Sequence, residues 1–178
     1  MVLLGEDLRP SSSAPKHSVH GAATPLHLAF SCYVRDLAGR LLMTRRALAK
    51  RAWPGVWTNS CCGHPGPDEP IEVAVRRRVR QELGLDLTQL RCLLPDFRYR
   101  ATDPAGVVEN EVCPVFVALA PGPPQPDPAE VMEWRWADWS AVASLARSAP
   151  WALSPWCVLQ MAQLTDPLTE GMTDGVRT

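Results

Sequence analysis

Thiol, imidazole and carboxylate side chains recur in this sequence at spacings that could bring them together. Cys62 and His64 stand two residues apart in a stretch rich in glycine and proline, and Glu109 and Glu111 have the same spacing. Residues two apart in an extended strand point to the same side of it, so each pair would share a face. Two carboxylates side by side on an interior strand repel each other unless a cation or a proton lies between them. The glutamate pair therefore indicates a metal site or an acid–base site.

Two further histidines could complete such a site. His20 and His27 stand seven residues apart across the entry to the first predicted hairpin, and with His64, Glu109 and Glu111 they offer five nitrogen and oxygen ligands. This set suits a site of high coordination number better than a tetrahedral structural zinc. Each part also has an ordinary interpretation. Histidines near a strand start are often solvated, paired glutamates often lie on the solvent face of an edge strand, and a cysteine is often a small buried apolar residue.

The thiol and His64 stand in the stretch of residues 57–85, whose second half reads as an amphipathic helix. Ile71, Val75 and Val79 recur every four residues, which predicts one apolar helix face. Pro70 suits the first helical position, and Gly84 stands where a left-handed C-terminal cap is expected. The stretch therefore predicts a loop that presents Cys62 and His64, followed directly by a helix.

This loop and helix resemble a degenerate Nudix box, the signature of enzymes that act on diphosphates attached to another group. The matching residues are Gly63, Glu69, Arg77, Val79, Glu82, Gly84 and Leu85. The box usually has glutamates where Arg78 and Gln81 stand here, and glycine is usual where Asp68 precedes the box glutamate. Half of the carboxylates that hold metal in a hydrolase are missing. We interpret Arg78 as an anion contact that replaces a metal ligand.

The remaining pattern predicts an α/β (α+β) fold, with a Nudix-like mixed β-sheet flanked by helices. Met1–Leu4 is expected to form a strand fragment, and Ser11–Ser13 a polar turn. The other expected strands are residues 26–34, 41–45, 90–102, 107–119 and 131–139, with turns at 36–39 and 103–106. Short helices are expected at residues 140–147 and 154–164.

Composition limits the class of protein. A chain of 178 residues with 46% hydrophobic and 21% charged residues fits one globular domain, 1–178, in which residues 1–15 and 166–178 are expected to be peripheral or partly disordered. A net charge of −1 gives no bulk attraction to nucleic acid or to an anionic membrane. No apolar run approaches the roughly 20 residues of a membrane helix. Six cysteines without a CxxC pair, and a start without a secretory segment, predict reduced thiols in the cytoplasm.

Five segments resemble the type I isopentenyl-diphosphate isomerases. They are HLAF at 27–30, TRRALAKRAWPGVWTNSCCGHP at 44–65, PDFRYRATD at 95–103, VENEVCPVF at 108–116 and SPW at 154–156. The resemblance covers the chain except the first fifteen residues and the tail, and the pair TNSCCGHP and VENEVCPVF is specific. It implies an isomerase that acts on a small isoprenoid diphosphate as a monomer, with neither a nucleic acid nor a membrane as partner.

The resemblance also implies a role for each matching residue. The implied ligands of one divalent metal, Mn²⁺, Mg²⁺ or Zn²⁺, are His20, His27, His64, Glu109 and Glu111. A second ion, Mg²⁺ carried with the substrate diphosphate, would contact Glu82. The implied catalytic residues are Cys62, Glu111 and Tyr99. The implied substrate-binding residues are Lys16, Arg46, Lys50, Arg78 and Trp156.

The implied reaction explains these residue types. Converting isopentenyl to dimethylallyl diphosphate adds a proton at C4 and removes one at C2, through a species close to a tertiary carbocation. Such a site needs a proton donor on one face and an acceptor on the other, with water excluded. Cys62 and Glu111 are the candidates, Tyr99 can assist, and the Trp156 ring can face the positive charge.

Two other classes of protein were weighed. A Nudix pyrophosphohydrolase is disfavoured because Arg78 and Gln81 leave its metal cluster incomplete. A Nudix-fold binding module without catalysis is expected to have lost some of Cys62, Glu111 or the histidines, and all of them are present.

Overall fold

The fold is given by a computed structural model of the chain, which describes residues 1–15 and 19–166. Two sheets and three α-helices account for most of these residues. The strands are β1 (Val2–Leu4), β2 (Pro10–Ser13), β3 (His27–Leu28), β4 (Phe30–Arg35), β5 (Leu41–Arg46), β6 (Trp57–Thr58), β7 (Cys61–Gly63), β8 (Thr88–Leu94), β9 (Arg98–Thr102), β10 (Val108–Val112), β11 (Val115–Leu119) and β12 (Val131–Ala137). The helices are α1 (Ile71–Leu83), α2 (Trp139–Ser148) and α3 (Pro155–Met161), and a short 3-10 turn at Pro150–Ala152 joins the last two.

The two sheets are both mixed. The smaller sheet has the order β2-β1-β3-β10-β9, and the larger has the order β12-β5-β4-β11-β8, with β6 paired to β5 and β7 to β4. In each sheet one central pair is parallel, β3 with β10 and β4 with β11, and the other pairs are antiparallel. The expected α+β class with a mixed sheet is confirmed.

The larger sheet is covered by helices on both faces. From β4, Phe30, Cys32 and Val34 belong to the cluster that packs on α1. Tyr33, between them in sequence, points the other way and packs with Cys157 of α3. A strand buried on both faces reads as a continuous apolar run, which is why alternation is weak in this part of the sequence. The core therefore lies in two layers, one on each side of the larger sheet.

Three segments of the chain pass from one sheet to the other. Residues 90–102 and 107–119 were each expected to form one long strand, and both predictions are wrong. Each segment forms two strands: β8 and β11 lie in the larger sheet, and β9 and β10 in the smaller. The breaks fall at Pro95 and Pro114, and a proline has no N–H to continue a ladder. β3 and β4 divide in the same way at Ala29. The two sheets therefore diverge along a line through these three breaks. The polar side chains of the candidate site lie close to that line.

The N-terminal residues also differ from expectation. Ser11–Ser13 were predicted to form a turn, but with Pro10 they form β2, which pairs antiparallel with β1 at the edge of the smaller sheet. Serine is a weak strand former, and here backbone pairing with an apolar neighbour, Val2 to Leu4, overrides that preference.

The C-terminal boundary of α1 follows the sequence signal, whereas Pro70, expected at the first helical position, is the N-cap residue one position earlier. The helix begins at Ile71 after Pro70, and Gly84 has φ 65° while its N–H donates to the carbonyl of Arg80. A Cβ at Gly84 would also lie 3.1 Å from Gln125, so both the positive φ and this close approach favour glycine. Asp68 has φ 58° in the loop before the helix. Glycine adopts this left-handed conformation without strain, which fits the glycine that the resemblance to the box leads one to expect there.

Glu69 joins this loop to α1. Its carboxylate accepts hydrogen bonds from Arg77 at 2.7 and 2.8 Å and from the Gly66 N–H at 2.7 Å. The bond from Arg77 is the main reason that the pKa of Glu69 falls to about 2. An ionised Glu69 therefore stabilises the folded chain at neutral pH.

Glu69→Gln is expected to lower the free energy of unfolding by about 1 kcal/mol at pH 7, because water screens this partly exposed pair. The folded pKa lies below the unfolded value, so this stabilisation is present above about pH 4.5 and is lost as pH falls through about 2. Urea unfolding of both proteins across this range measures the difference, with Glu72→Gln on the exposed side of α1 as control. A difference that stays constant down to pH 2 would contradict this assignment.

Candidate active site

A cavity of about 290 Å³ opens where the two sheets separate. It is lined by the ends of β5, β7, β9 and β10, by the start of α3, and by two loops. The lining residues are His20, Arg46, Ala49, Lys50, Arg51, Ala52, Cys62, Gly63, His64, Tyr99, Glu109, Glu111, Ala129, Glu130 and Trp156. Most residues that the sequence singled out therefore share one cavity.

Three histidines and a glutamate form a buried cluster beside this cavity. One ligand atom from each of His20, His27, His64 and Glu111 lies within 4.8 Å of the others. The Nε2 atoms of His27 and His64 lie 3.2 and 3.1 Å from the same carboxylate oxygen of Glu111. Three imidazole nitrogens with one carboxylate oxygen suit a divalent transition metal. The cluster is a site that could hold a metal ion.

The tautomer of His27 supports this fit. Its Nδ1 lies 2.9 Å from the carbonyl of Pro25, which can only accept a hydrogen bond, so Nδ1 carries the proton. In the neutral ring Nε2 is then an acceptor, and it faces the acceptor oxygen of Glu111. Two acceptors at this distance need a cation between them, either a proton or a metal ion. Burial lowers the pKa of His27, but the bond to Glu111 and its charge outweigh burial and raise it.

Glu109 lies beside the cluster of four and is not part of it. Its Oε2 atom is 3.0 Å from Nε2 of His20, and its side chain is buried. Burial raises the pKa of Glu109, while for Glu111 the bonds from His27 and His64 outweigh burial and hold the pKa well below its usual range. Whether Glu109 serves as a fifth ligand stays a prediction.

Cys62 presents its thiol to the cavity from β7. The thiol donates to Oδ1 of Asn59 at 3.3 Å and lies 3.4 Å from Oγ of Ser31. Burial raises the pKa of Cys62 to about 11, so the group is a neutral thiol near pH 7. Cys61 points the other way, with its sulfur 3.5 Å from Glu82, as the alternation of a strand predicts.

Glycine is required between the thiol and His64. A Cβ at Gly63 would lie 2.8 Å from a ring carbon of Phe30 and 2.9 Å from Cγ of Arg78. Both distances are shorter than real carbon contacts, so a larger residue would push α1 away from β7. The first glycine of the box therefore allows the helix to pack directly behind Cys62.

Asn59 is a site residue that the sequence did not reveal. Its Oδ1 accepts hydrogen bonds from Nε1 of Trp156 at 3.0 Å and from the Cys62 thiol. Its Nδ2 donates to the carbonyls of Cys32 and Cys61 at 3.2 and 3.0 Å, which fixes the orientation of the amide. One buried side chain thus holds the thiol and the indole in place. A polar residue three positions before the cysteine is the only sequence signal for it.

An aromatic wall closes one side of the cavity. The ring of Trp156 lies 5.7 Å from that of Tyr99 and 6.0 Å from that of Trp53, and the guanidinium carbon of Arg46 lies 5.7 Å from its centroid. Tyr99 stands directly opposite Glu111 in the pairing of β9 with β10. Burial and then the charge of Glu111 raise the pKa of Tyr99 well above its usual value, so its hydroxyl keeps the proton.

The predicted substrate cations are only partly brought together. Arg46 and Lys50 line the cavity, and so does Arg51, which was not predicted. Lys16 lies outside the described residues. Arg78 is not among the lining residues; it lies in a separate groove with His64 and Arg77.

The side chain of Arg78 is held by carboxylates. It forms an ion pair with Glu82 on the next turn of α1, and its Nη2 lies 3.4 Å from Glu130, which does line the cavity. Glu82 is the buried carboxylate of α1, whereas Gln81 is exposed. The described part of α1 therefore lacks the cluster of carboxylates with which the usual box holds metal.

The fold and the box have matches among known proteins. The NUDIX domain model matches residues 25–157 of the chain. The solved structure of DR0079 from Deinococcus radiodurans superposes with a TM-score of 0.68 at 18% identity, covering 91% of this chain and 96% of that one. At this identity the likeness to DR0079 shows a shared fold alone, and the match to the domain model shows that the chain contains a NUDIX domain.

Curated relatives narrow the family. The isopentenyl-diphosphate Delta-isomerase of Frankia alni is 64% identical over 175 residues, which is 97% of this chain and 90% of the relative. The enzyme of the same name from Agromyces mediolanus is 57% identical over 179 residues, or 100% of this chain and 86% of the relative. The chain belongs to the isopentenyl-diphosphate Delta-isomerase family within the NUDIX domains, and the resemblance seen in the sequence is confirmed. In the described residues no helix is both long and apolar enough to span a membrane.

Proposed function

We propose that the chain interconverts isopentenyl diphosphate and dimethylallyl diphosphate, as a cytoplasmic enzyme of isoprenoid biosynthesis. One observation carries the proposal: the Cys62 thiol and the Glu111 carboxylate line a single cavity beside an aromatic wall. Membership of the isomerase family supports it. Its substrate is a small-molecule diphosphate, and we propose a monomer without a nucleic acid or membrane partner.

Cys62 and Glu111 are the proposed acid and base, on opposite faces of the substrate. One group adds the proton at C4 and the other removes a proton from C2, and the two exchange roles in the reverse reaction. Their resting states suit this division, because the buried thiol is neutral and the carboxylate is ionised near pH 7. Tyr99 keeps its hydroxyl proton and can pass a proton to or from Glu111, its neighbour across the sheet.

Trp156 and Tyr99 are proposed to protect the reacting carbons. A ring face attracts a developing positive charge, and apolar walls exclude the water that would trap a carbocation. Asn59 holds the indole on the same side as the thiol, so the ring and the acid–base group keep a constant separation.

The metal ligands and cations have separate proposed tasks. The residues proposed to hold Mn²⁺, Mg²⁺ or Zn²⁺ are His20, His27, His64, Glu109 and Glu111. When bound, that ion would supply positive charge that fixes Glu111, and Mg²⁺ at Glu82 would neutralise part of the diphosphate. The residues proposed to bind the diphosphate are Lys16, Arg46, Lys50 and Arg78.

Product analysis tests the proposed reaction. The purified chain is incubated with isopentenyl diphosphate and Mg²⁺, and dimethylallyl diphosphate is resolved from inorganic phosphate and pyrophosphate. The expected result is an equilibrium mixture of the two isoprenoid diphosphates without phosphate release. Phosphate release faster than movement of the double bond would instead identify a pyrophosphohydrolase.

Arg78→Ala is expected to lower kcat/KM for isomerisation by roughly ten- to a hundredfold, the usual contribution of a charge-assisted contact. Because the diphosphate does not react, KM should change at least as much as kcat. Arg78→Glu should lose more without becoming a hydrolase, since Gln81 leaves the metal cluster incomplete. Steady-state kinetics with a phosphate assay measures both.

Arg80→Ala is the matched control for Arg78. Arg80 lies on the same helix, but its side chain is exposed and pairs with Asp86 away from the cavity. Its kinetics should match those of the wild type. Unchanged KM and kcat in Arg78→Ala would remove Arg78 from the proposed binding site.

A further inference from the structure

Glu130 is an acidic residue in the wall of the cavity that the proposed reaction does not use. It lies immediately before β12, and about a quarter of its side chain is exposed. Its Oε2 forms an ion pair with Nζ of Lys50, and its Oε1 lies 3.4 Å from Nη2 of Arg78. One carboxylate therefore bridges two cations that come from different elements, a loop and a helix.

The two cations are among those proposed to bind the substrate diphosphate. Two oxygens on one anionic centre, one facing a lysine and one facing an arginine, form the contacts that a phosphate group would make there. Lys50 and Arg78 are only 15% and 18% exposed, so few water molecules compete for them. Glu130 therefore supplies the negative charge that an anionic ligand would otherwise bring to Lys50, in the cavity wall, and to Arg78, outside it.

The backbone keeps Glu130 close to these cations. Its carbonyl accepts a hydrogen bond from the N–H of Ala47 at 3.0 Å, and the next residue, Val131, pairs with Arg46 across β12 and β5. The main chain is therefore fixed to the basic loop, so the Glu130 carboxylate can leave Lys50 and Arg78 only by rotation of its side chain, and Arg78 then keeps its ion pair with Glu82. Glu82 also contacts Arg78, but it is buried and does not line the cavity.

We propose that Glu130 is an internal competitor for the diphosphate, which substrate must displace and which helps product to leave. The inference rests on the proposed function, since it concerns how the same site binds diphosphate. A site whose cations are already occupied binds its ligand more weakly, in proportion to the fraction of molecules in which the cations are free. Substrate and product share the diphosphate, so this competition weakens both equally and limits trapping of product.

Glu130→Gln tests this proposal by a gain of affinity. The amide has nearly the same shape without the charge, so inorganic pyrophosphate should bind roughly fivefold more tightly, the scale of a partly exposed ion pair. Isothermal titration calorimetry, with and without Mg²⁺, measures the dissociation constant. KM for isopentenyl diphosphate should fall by a similar factor, and kcat should not rise.

Glu133→Gln is the matched control. Glu133 lies three residues further on, in β12, and also contacts two arginines, Arg45 and Arg135, but it does not line the cavity. Its pyrophosphate affinity should equal that of the wild type. An equal gain of pyrophosphate affinity in both variants would show that the change in net charge causes it, and would overturn the proposal.

The remaining outcomes separate this inference from the proposed function. Unchanged or weaker pyrophosphate binding by Glu130→Gln overturns it, as does the absence of binding in both proteins. Weaker binding only with Mg²⁺ would make Glu130 a ligand of that ion instead. Tighter binding supports the inference even if the wild type fails to move the double bond, a failure that would count against the isomerase proposal alone.

Discussion

Cys62→Ala is expected to lower kcat for isomerisation by roughly two to four powers of ten, the scale of a lost acid–base group. The thiol contacts Asn59 and Ser31 at the edge of the cavity and packs only against the border of the core, and alanine keeps the Cβ, so the packing of α1 and the sheets should change little. Thermal unfolding should therefore stay close to that of the wild type while turnover is lost. Quantification of dimethylallyl diphosphate under substrate saturation measures the effect.

Cys61→Ala is the control for the thiol. Cys61 is its neighbour in sequence, but its sulfur points into the core beside Glu82 on the other side of β7. This variant should lose stability and keep turnover within severalfold of the wild type. Near-normal turnover by Cys62→Ala would remove the thiol from the mechanism.

Replacing His20 and His64 together by glutamine is expected to empty the metal site. The native chain should carry one divalent ion, and the double variant less than a tenth of that, because only His27 and Glu111 remain of the cluster. Metal content after gel filtration, measured by mass spectrometry, gives a result that does not depend on activity. Isomerisation should fall by at least a hundredfold, because ligands and their neighbours commonly contribute that much.

Metal binding should also weaken as pH falls. Protons compete with the metal ion for the imidazole nitrogens, and in a free histidine side chain they do so near pH 6.5. The pKa of His27 is raised, so protonation of this ligand should begin at a higher pH. Glu133→Gln, remote from the cluster, should keep both its metal and its pH profile. Carefully prepared wild type without metal, and with activity unaffected by chelators, would refute the site.

The sequence was informative where local rules decide the structure. The spacing of Ile71, Val75 and Val79 predicted a helix, and Gly84 marked its end, because both depend on neighbours within one turn. The alternation of Cys61 and Cys62 also followed from strand geometry alone. The breaks at Pro95 and Pro114 were visible as prolines, but the change of sheet that they produce depends on partners far away in the chain.

The rest of the site depends on contacts that no local pattern records. Asn59 forms a hydrogen bond with Trp156, which lies 97 positions away in the sequence, and Glu130 pairs with Lys50, which lies 80 positions away. A polar residue in a loop has many possible partners, and its burial, which decides its role, is a property of the whole fold. The resemblance to a family pointed to the proposed acid–base residues, but not to Asn59 and Glu130, which lie close to them in the structure.

The separation of the two sheets has a consequence for how the chain folds. His27 and Glu111 are 84 positions apart, and His64 and Glu111 are 47 apart, so the cluster exists only after long loops have closed. Contacts of this kind form slowly, whereas hairpins and α1 can form early. An ion that binds the closed cluster, and not the unfolded chain, would offset the entropy of those loops. The same side chains would then stabilise the contacts that form last in folding and also take part in the proposed reaction.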